Sequence, residues 1–315
     1  MFRTCLRTIV NRTLLILQLV LLLLGAQWLQ AQDIRFTHIT MEDGLSQTTV
    51  FSIIQDRQGF MWFGTEDGLN KYDGYDFTIY SNFSLDERSL SNNTILCLFE
   101  DRDGLLWIGT NDGGLNVYDR EYDKFRSFKN DAEDDKSIAG NKVFTIFQDD
   151  KGSIWIGTDA GLDKIVFEDE GTHDKVSELG NISFYHVKAQ ENDQYSISYN
   201  RVRAIIQDKH GHMWFGTQGG GLNKLIYDYE DESSQPVFVH YQHDENDPES
   251  LSNDAVLSLY EDGRGNIWVA TYGGGVNRFN EETRKFERFR HSDDDPQGVS
   301  HDIVLTIYGD RSGNI

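Results

Sequence analysis

Two histidines and one acidic loop are the side chains in this sequence whose spacing could hold a metal ion. His210 and His212 alternate, which would place both on one side of an extended strand. Zinc sites add a third or fourth ligand at a short, regular spacing, and none follows here. The loop Asp101–Gly104 could begin a calcium site, but the alternating acidic positions and the closing Glu are missing. We therefore expect no metal site, and we expect both histidines to be solvent-facing turn residues.

The usual signatures of nucleophilic, redox and phosphate chemistry are missing from the sequence. It contains no GxSxG, HExxH or CxxC motif and no Walker loop, and Gly219–Gly221 lacks the Lys-Ser/Thr pair of a phosphate cradle. Carboxylates are so abundant that closeness in sequence does not indicate a general acid and base. We expect no catalytic residue and no cofactor.

The charge balance excludes further kinds of partner. The chain has 29 Lys and Arg against 52 Asp and Glu, a net charge of −23. A surface this acidic repels phosphate backbones and anionic lipid, so nucleic acid is not an expected partner of this region. Its two cysteines, Cys5 and Cys97, cannot make a disulfide framework.

The first 31 residues have the layout of a secretory signal. A basic stretch with Arg3, Arg7 and Arg12 precedes the apolar run Leu14–Ala26, and the small residue Ala31 offers a cleavage point. The apolar run is shorter than the ~20 residues that cross a bilayer, which favours cleavage over a retained anchor. We expect export to the periplasm, with contact to the membrane only through this signal or through a helix further downstream.

The chain after the signal is a repeat. An Asp lies six residues before each of five tryptophans, a Gly three before and a Thr three after, and the tryptophans stand 45 to 59 residues apart. Agreement at fixed offsets indicates an array of equivalent structural units. We interpret the tryptophans as structural residues that pack between neighbouring units. They are Trp62, Trp107, Trp155, Trp214 and Trp268.

Each unit divides into four short strands, here labelled a to d. In the first unit, Val50–Gln55 predicts strand a, Phe60–Thr65 strand b, Leu69–Tyr72 strand c and Phe77–Tyr80 strand d, with Asp/Gly-rich turns between them. Four antiparallel strands repeated every ~40–50 residues are typical of a β-propeller. The expected fold is all-β, a propeller of five complete blades and the start of a sixth in an incomplete ring.

The repeat also sets the expected domain boundaries. After the signal at 1–31, residues 32–315 form the propeller. We predict that Phe36–Ile39 is an outer strand that closes the ring with the last blade, and that Ile303–Tyr308 is strand a of the sixth. The blades are expected at about 46–80, 91–128, 139–187, 198–241 and 252–289, with a partial blade at 300–315.

The loops between strands b and c are the expected ligand-binding positions. They share one face of the propeller and vary in sequence, whereas the turns between strands a and b are uniform. Carboxylates, amides and a tyrosine suit hydroxyl-rich ligands through hydrogen bonds and ring stacking. The candidate residues are Glu66, Asp67, Asn111, Asp112, Asp159, Gln218 and Tyr272.

The sequence of each repeat, for example ILCLFEDRDGLLWIGTNDGGLNVYD at residues 95–119, resembles the two-component regulator propeller repeat. The resemblance covers residues 33–315. It implies the extracytoplasmic sensor region of a hybrid sensor histidine kinase, in which a small ligand, carbohydrate-derived in some members, biases a downstream kinase. It also implies a parent protein that is anchored in the inner membrane and forms a homodimer, with kinase domains that this chain lacks.

Two other functions stay open at this stage. The D-x-x-G-x-x-W spacing is close to the Asp-box of sialidase propellers, which keeps open a secreted enzyme that acts on glycans, either sialidase-like or lyase-like. A scaffold that only presents interaction surfaces is the third possibility.

Overall fold

The turn between strands a and b of each blade is organised by one aspartate. In blade 1, Asp56 Oδ1 accepts the backbone N–H groups of Gln58 and Phe60, each at 3.0 Å. Gly59 has a φ of +92°, a left-handed conformation that favours glycine, and its N–H donates to the Asp56 carbonyl. The turn therefore fixes the start of the next strand before any tertiary contact forms.

The second oxygen of the same aspartate accepts the tryptophan indole N–H. The Nε1 to Oδ2 distance lies between 2.7 and 2.9 Å in all five blades. A buried indole N–H needs an acceptor, and a carboxylate is a strong one. The six-residue spacing in the sequence is thus the spacing of a side-chain hydrogen bond. The bonded pairs are Asp56–Trp62, Asp101–Trp107, Asp149–Trp155, Asp208–Trp214 and Asp262–Trp268.

The computed structural model describes residues 37–167, 175–179, 182–227, 236–295, 297–310 and 312–315. The expected signal at 1–31 lies outside these residues. No helix within the described residues is long and apolar enough to cross a membrane. The only helical segments described are 3-10 turns at Met41–Asp43 and Val176–Glu178.

Within the described residues, twenty strands form five antiparallel sheets, so the expected all-β fold with five four-stranded blades is confirmed. Consecutive groups of four strands make blades 1 to 5, paired in the order a-b-c-d. The strands are β1 Val50–Gln55, β2 Met61–Thr65, β3 Gly68–Tyr72, β4 Phe77–Tyr80, β5 Ile95–Glu100, β6 Leu106–Thr110, β7 Leu115–Asp119, β8 Lys124–Phe128, β9 Val143–Gln148, β10 Ile154–Thr158, β11 Leu162–Phe167, β12 Ile182–Val187, β13 Val202–Gln207, β14 Met213–Thr217, β15 Gly221–Tyr227, β16 Val237–Tyr241, β17 Val256–Glu261, β18 Ile267–Thr271, β19 Val276–Asn280 and β20 Lys285–Phe289.

The core lies in the seams between blades. Strand a of each blade contacts strand a of the next, within the unit Thr40–Ile315. The Trp62 indole sits in one buried cluster with Leu106, Tyr118 and Phe125 of blade 2, its ring centroid 5.1 Å from that of Tyr118. Apolar burial at about 25 cal/mol per Å² is the main stabilising term of such a seam.

A glycine in strand b lets consecutive blades approach closely. A Cβ built at Gly64 would stand 2.7 Å from the Ile95 side chain, and one at Gly109 would stand 2.7 Å from Val143. Both neighbours belong to strand a of the following blade. The glycine therefore sets the distance between blades.

Four of the tryptophans are fully buried, whereas Trp268 is half-buried. Trp268 stacks on Phe289 of its own blade at a centroid distance of 5.5 Å, and no four-stranded blade follows it among the described residues. Contact with its own blade alone therefore leaves the Trp268 indole half-buried, whereas the four fully buried indoles are each followed by another blade.

Two segments that the sequence predicts as strands are not regular strands in the residues that the structure describes. Thr37–Ile39 is irregular, and Phe36 lies outside the described residues. Within Ile303–Tyr308, only Ile303 bridges, to Tyr272, although Val304 also donates to the Thr271 carbonyl at 3.1 Å. Every other strand a pairs with strand b of its own blade, and among the described residues this segment has no such partner strand. Without that ladder the segment stays irregular.

Blade 3 replaces a neutral polar contact with a buried ion pair. In blades 2 and 5 an asparagine on strand c accepts the N–H of a serine in the preceding linker. Blade 3 has Asp163 and Ala139 there, and His186 Nδ1 lies 2.6 Å from Asp163. The other imidazole nitrogen faces the Asp135 carbonyl at 2.8 Å. Both ring nitrogens meet acceptors, so the geometry fits the doubly protonated imidazolium.

Replacing Asp101 with Ala should destabilise the fold strongly. The change leaves the Trp107 indole N–H and the Leu105 backbone N–H buried without an acceptor, at about 1–3 kcal/mol each. We expect a loss of about 3 kcal/mol in the free energy of unfolding, measured with urea. The exposed Asp103→Ala is the control and should change it by about 0.5 kcal/mol or less. Equal effects of the two variants would contradict this account.

The Asp163–His186 pair should make stability depend on pH. The hydrogen bond to Asp163 raises the pKa of His186 above its usual value, although burial of the ring opposes the rise. Because the folded pKa is the higher one, the contribution is full below about pH 6.5 and is lost as pH rises through the folded pKa. Urea unfolding of wild type and His186→Gln from pH 5.5 to 9 should show a difference that shrinks with rising pH. A constant difference would argue against a charged His186.

Candidate functional site

The b–c loops are tied to the linker that enters the next blade. The Gly68 N–H donates to the Asn93 carbonyl, the Gly114 N–H to Asn141 and the Gly221 N–H to Asp254, at 2.6 to 2.9 Å. The loop of one blade and the d–a linker before the next therefore form one continuous polar surface. Rigid strands on both sides hold this surface in place.

The linker between blades 3 and 4 is closed by its own side chains. The Asn200 side chain accepts the Ala189 N–H at 2.7 Å, and the Ser196 hydroxyl accepts the Gln190 N–H at 3.0 Å. The same closure recurs in the other linkers, for example from Asn82 N–H to Asn93. These bonds present Tyr199 and Arg201, on either side of Asn200, on the b–c face.

A cleft of about 600 Å³ opens at this point of the b–c face. Its wall combines a cation, two carboxylates, two amides and a half-exposed phenol ring. Planar hydrogen-bonding groups beside an aromatic face suit a polar, hydroxyl-rich ligand. The cleft is lined by Asp159, Ala189, Gln190, Glu191, Ser198, Tyr199, Asn200 and Arg201.

Of the seven loop residues predicted as ligand-binding, the cleft includes Asp159. Gln218 lies beside it, because its N–H donates to the Arg201 carbonyl at 2.8 Å. The others lie on the same face at separate blades. Asp67 accepts from the Asn93 amide at 3.1 Å, and Tyr272 is 53% exposed. The remaining predicted residues are Glu66, Asn111 and Asp112.

The sequence reading missed the linker residues of the cleft. The position of Tyr199 holds Asn92, Gly140 and Asn253 in other linkers. The available signal was a lone aromatic at a variable position, followed by a position that is Asn or Asp in each of these linkers: Asn93, Asn141, Asn200 and Asp254.

A larger cavity of about 810 Å³ lies away from the b–c loops, between the linker at 82–91 and strand β8. Two of its cations already have partners. Lys124 pairs with Asp86 at 2.8 Å, and the Arg88 guanidinium lies over the Tyr122 ring at 5.4 Å. Both of these cations are therefore engaged within the protein.

A third group of polar side chains lies on the opposite side of the blades, near the a–b turns. Asp208, His212 and Glu281 bring one ligand atom each to within 4.8 Å of one another. Spacing in the sequence did not reveal this, because Glu281 comes from the next blade. This is the cluster of the described residues that could hold a metal ion.

The profile of the two-component regulator propeller matches residues 44–67, 89–112, 137–160, 196–219 and 250–273. These five segments are the five Trp-centred units described above. The chain belongs to the two-component regulator propeller family. Each match runs from the linker through strands a and b to the b–c loop of one blade. The expected resemblance is thereby confirmed.

Known relatives of this two-component regulator propeller include sensor kinases. It is 48% identical over 60 residues to histidine kinase P4 of Formosa agariphila, which covers 19% of this chain and 4% of that protein. It also superposes on the extracellular domain of the hybrid two-component system BT3049 from B. thetaiotaomicron, with a TM-score of 0.64 and 24% identity. That superposition covers 88% of this chain and 39% of the other.

The same propeller architecture occurs with other functions. PorZ, a surface component of the type-IX secretion system of Porphyromonas gingivalis, superposes with a TM-score of 0.60 and 18% identity, over 82% of this chain and 36% of that one. Similarity at this level shows the fold alone. The chain spans well under half the length of these relatives, so the functional assignment depends on the repeat family and on the site.

Proposed function

We propose that this propeller is the ligand-sensing part of an exported two-component sensor histidine kinase, and that it binds a small carbohydrate-derived ligand in the cleft between blades 3 and 4. The cleft on the b–c face is the observation that carries the proposal. In it, Tyr199 and Arg201 stand next to Asp159 on a surface fixed by backbone hydrogen bonds.

The chemistry of the cleft favours a neutral or weakly acidic sugar. The Tyr199 ring, 48% exposed, offers a stacking face, and it lies against Gly219 where a side chain would leave no room. Arg201 is exposed and can donate to hydroxyl or carboxylate oxygens in a planar fork. Asp159 and Glu191 can accept from hydroxyl groups.

The proposed signal is a change in the placement of the propeller within a larger protein. A ligand that binds one arrangement more tightly shifts the population towards it. The family context supports a kinase beyond this chain, a periplasmic location for the propeller, and a homodimer as the unit that carries the signal across the membrane.

Two substitutions in the cleft test the proposal. Isothermal titration calorimetry with a panel of oligosaccharides and uronic-acid oligomers should identify a ligand of the untagged chain. Tyr199→Ala should weaken its binding about tenfold through lost stacking, and Arg201→Ala should do so by a similar factor through lost hydrogen bonds. In the full-length sensor, both variants should lose ligand-dependent autophosphorylation.

The controls carry the same changes elsewhere on the surface. Tyr75→Ala removes an 89% exposed tyrosine from blade 1, and Arg264→Ala removes an exposed arginine from an a–b turn. Both should bind like wild type. The assigned site would be contradicted if the control variants lost as much ligand affinity as the cleft variants, or if the cleft variants bound the ligand like wild type. Cleavage of a bound glycan into products would favour the enzyme alternative.

A further inference from the structure

The seam between blades 1 and 2 shows how this fold neutralises its turn aspartate. Arg120, just after β7, donates to Asp56 Oδ2 at 2.9 Å and to Glu100 Oε1 at 2.9 Å. Asp56 is the tryptophan partner of blade 1, and Glu100 ends strand a of blade 2. One guanidinium thus bridges two carboxylates from neighbouring blades.

The seam between blades 4 and 5 keeps both carboxylates and reverses the bridging charge. Asp208 is the tryptophan partner of blade 4, and Glu261 ends strand a of blade 5. The residue just after β19, where blade 2 has Arg120, is Glu281. This seam therefore carries three carboxylates, where the seam between blades 1 and 2 has two carboxylates and a guanidinium.

One buried carboxylate oxygen of this seam has no hydrogen-bond partner. Glu261 Oε1 is buried and has no hydrogen-bond partner, whereas Oε2 accepts the Lys209 N–H at 2.8 Å. The equivalent oxygen of Glu100 is the one that Arg120 binds. Burial raises the pKa of Glu261, and the nearby Asp208 charge adds to the rise. A buried carboxylate oxygen without a donor is costly, which points to a cation as its partner.

Histidine and lysine complete the group. His212 Nδ1 lies 3.0 Å from Asp208 Oδ2 and 3.9 Å from Glu281 Oε1. Lys224 donates to Glu281 and lies over the Trp214 ring, as Lys71 does over Trp62 in blade 1. The seam with Arg120 also has a lysine over its tryptophan, namely Lys71. Lys224 is therefore not a substitute for the positive charge that Arg120 supplies.

We propose that the seam between blades 4 and 5 binds a divalent transition metal of the zinc class, through three ligands: His212 Nδ1 and one carboxylate oxygen each of Asp208 and Glu281. An imidazole with few carboxylates is a donor set for Zn²⁺, whereas Ca²⁺ requires six to eight oxygens. The metal would brace two blades as Arg120 does at the other seam. It competes with the Lys224 ammonium for Glu281.

Equivalent positions in other blades of this chain suggest substitutions that remove the metal ligands and keep the local structure. In blade 5, Asn266 donates to Asp262 Oδ2 at 2.8 Å from the position that His212 occupies in blade 4. His212→Asn therefore keeps a cap on Asp208 and removes the metal-binding nitrogen. Glu281→Arg restores the arrangement seen with Arg120 and places a fixed cation in the site.

The test is titration of the untagged, chelator-treated chain with Zn²⁺ by calorimetry, with the melting temperature measured in parallel. Wild type should bind one equivalent and melt at a higher temperature with metal. His212→Asn should weaken binding at least tenfold, and Glu281→Arg should abolish it while melting no lower than metal-free wild type. Lys224→Met should bind more tightly, because the competing ammonium is gone. Co²⁺ should give a visible absorption band that His212→Asn loses.

Three results would overturn the proposal. The first is a lack of saturable Zn²⁺ binding by wild type. The second is equal binding by wild type, His212→Asn and Glu281→Arg, which would place the ion at other surface groups. The third is tighter binding of Ca²⁺ than of Zn²⁺, which would exclude the imidazole as a ligand.

Discussion

The hydrogen bond between the turn aspartate and the tryptophan indole is the constraint on which the rest of this propeller depends. One carboxylate organises the a–b turn with its first oxygen and fixes the indole with its second. The local turn and the seam between blades are therefore coupled through one side chain. Every complete blade carries this bond, so the fold is built from one repeated local solution and buries most of its apolar surface between units.

Around this fixed frame the two sides of the propeller differ in what they can do. On the b–c face, backbone bonds between loops and linkers hold a polar cleft open beside Tyr199 and Arg201. On the a–b side, two seams pair the Asp–Trp motif with a glutamate at the end of strand a, and the residue after strand c differs in charge between these two seams. Arg120 and Glu281 occupy equivalent positions and carry opposite charges.

Much of the fold could be predicted from the sequence because its signals are local. The residues at fixed offsets from Trp62 and its counterparts predicted the number of blades. Strands a and b were predictable because one short turn joins them. The prediction of a strand at Ile303–Tyr308 was wrong. Its β-branched and aromatic residues favour an extended backbone, but a regular strand also needs a neighbouring strand to pair with, and only Ile303 forms a bridge. Of the cleft, Asp159 was predictable from its loop. Tyr199 and the Asp208–Glu281 approach were not, because they depend on which residues of neighbouring blades face each other.

Amide and indole hydrogen exchange, followed by NMR on the ¹⁵N-labelled chain, tests the central claim most directly. The indole N–H groups of Trp62, Trp107, Trp155 and Trp214 should exchange only on global unfolding, because each is buried and bonded to its aspartate. Trp268, bonded but half-buried, should exchange faster. If all five indoles exchanged at the rate of a free indole, the Asp–Trp bond could not be what holds the blades together.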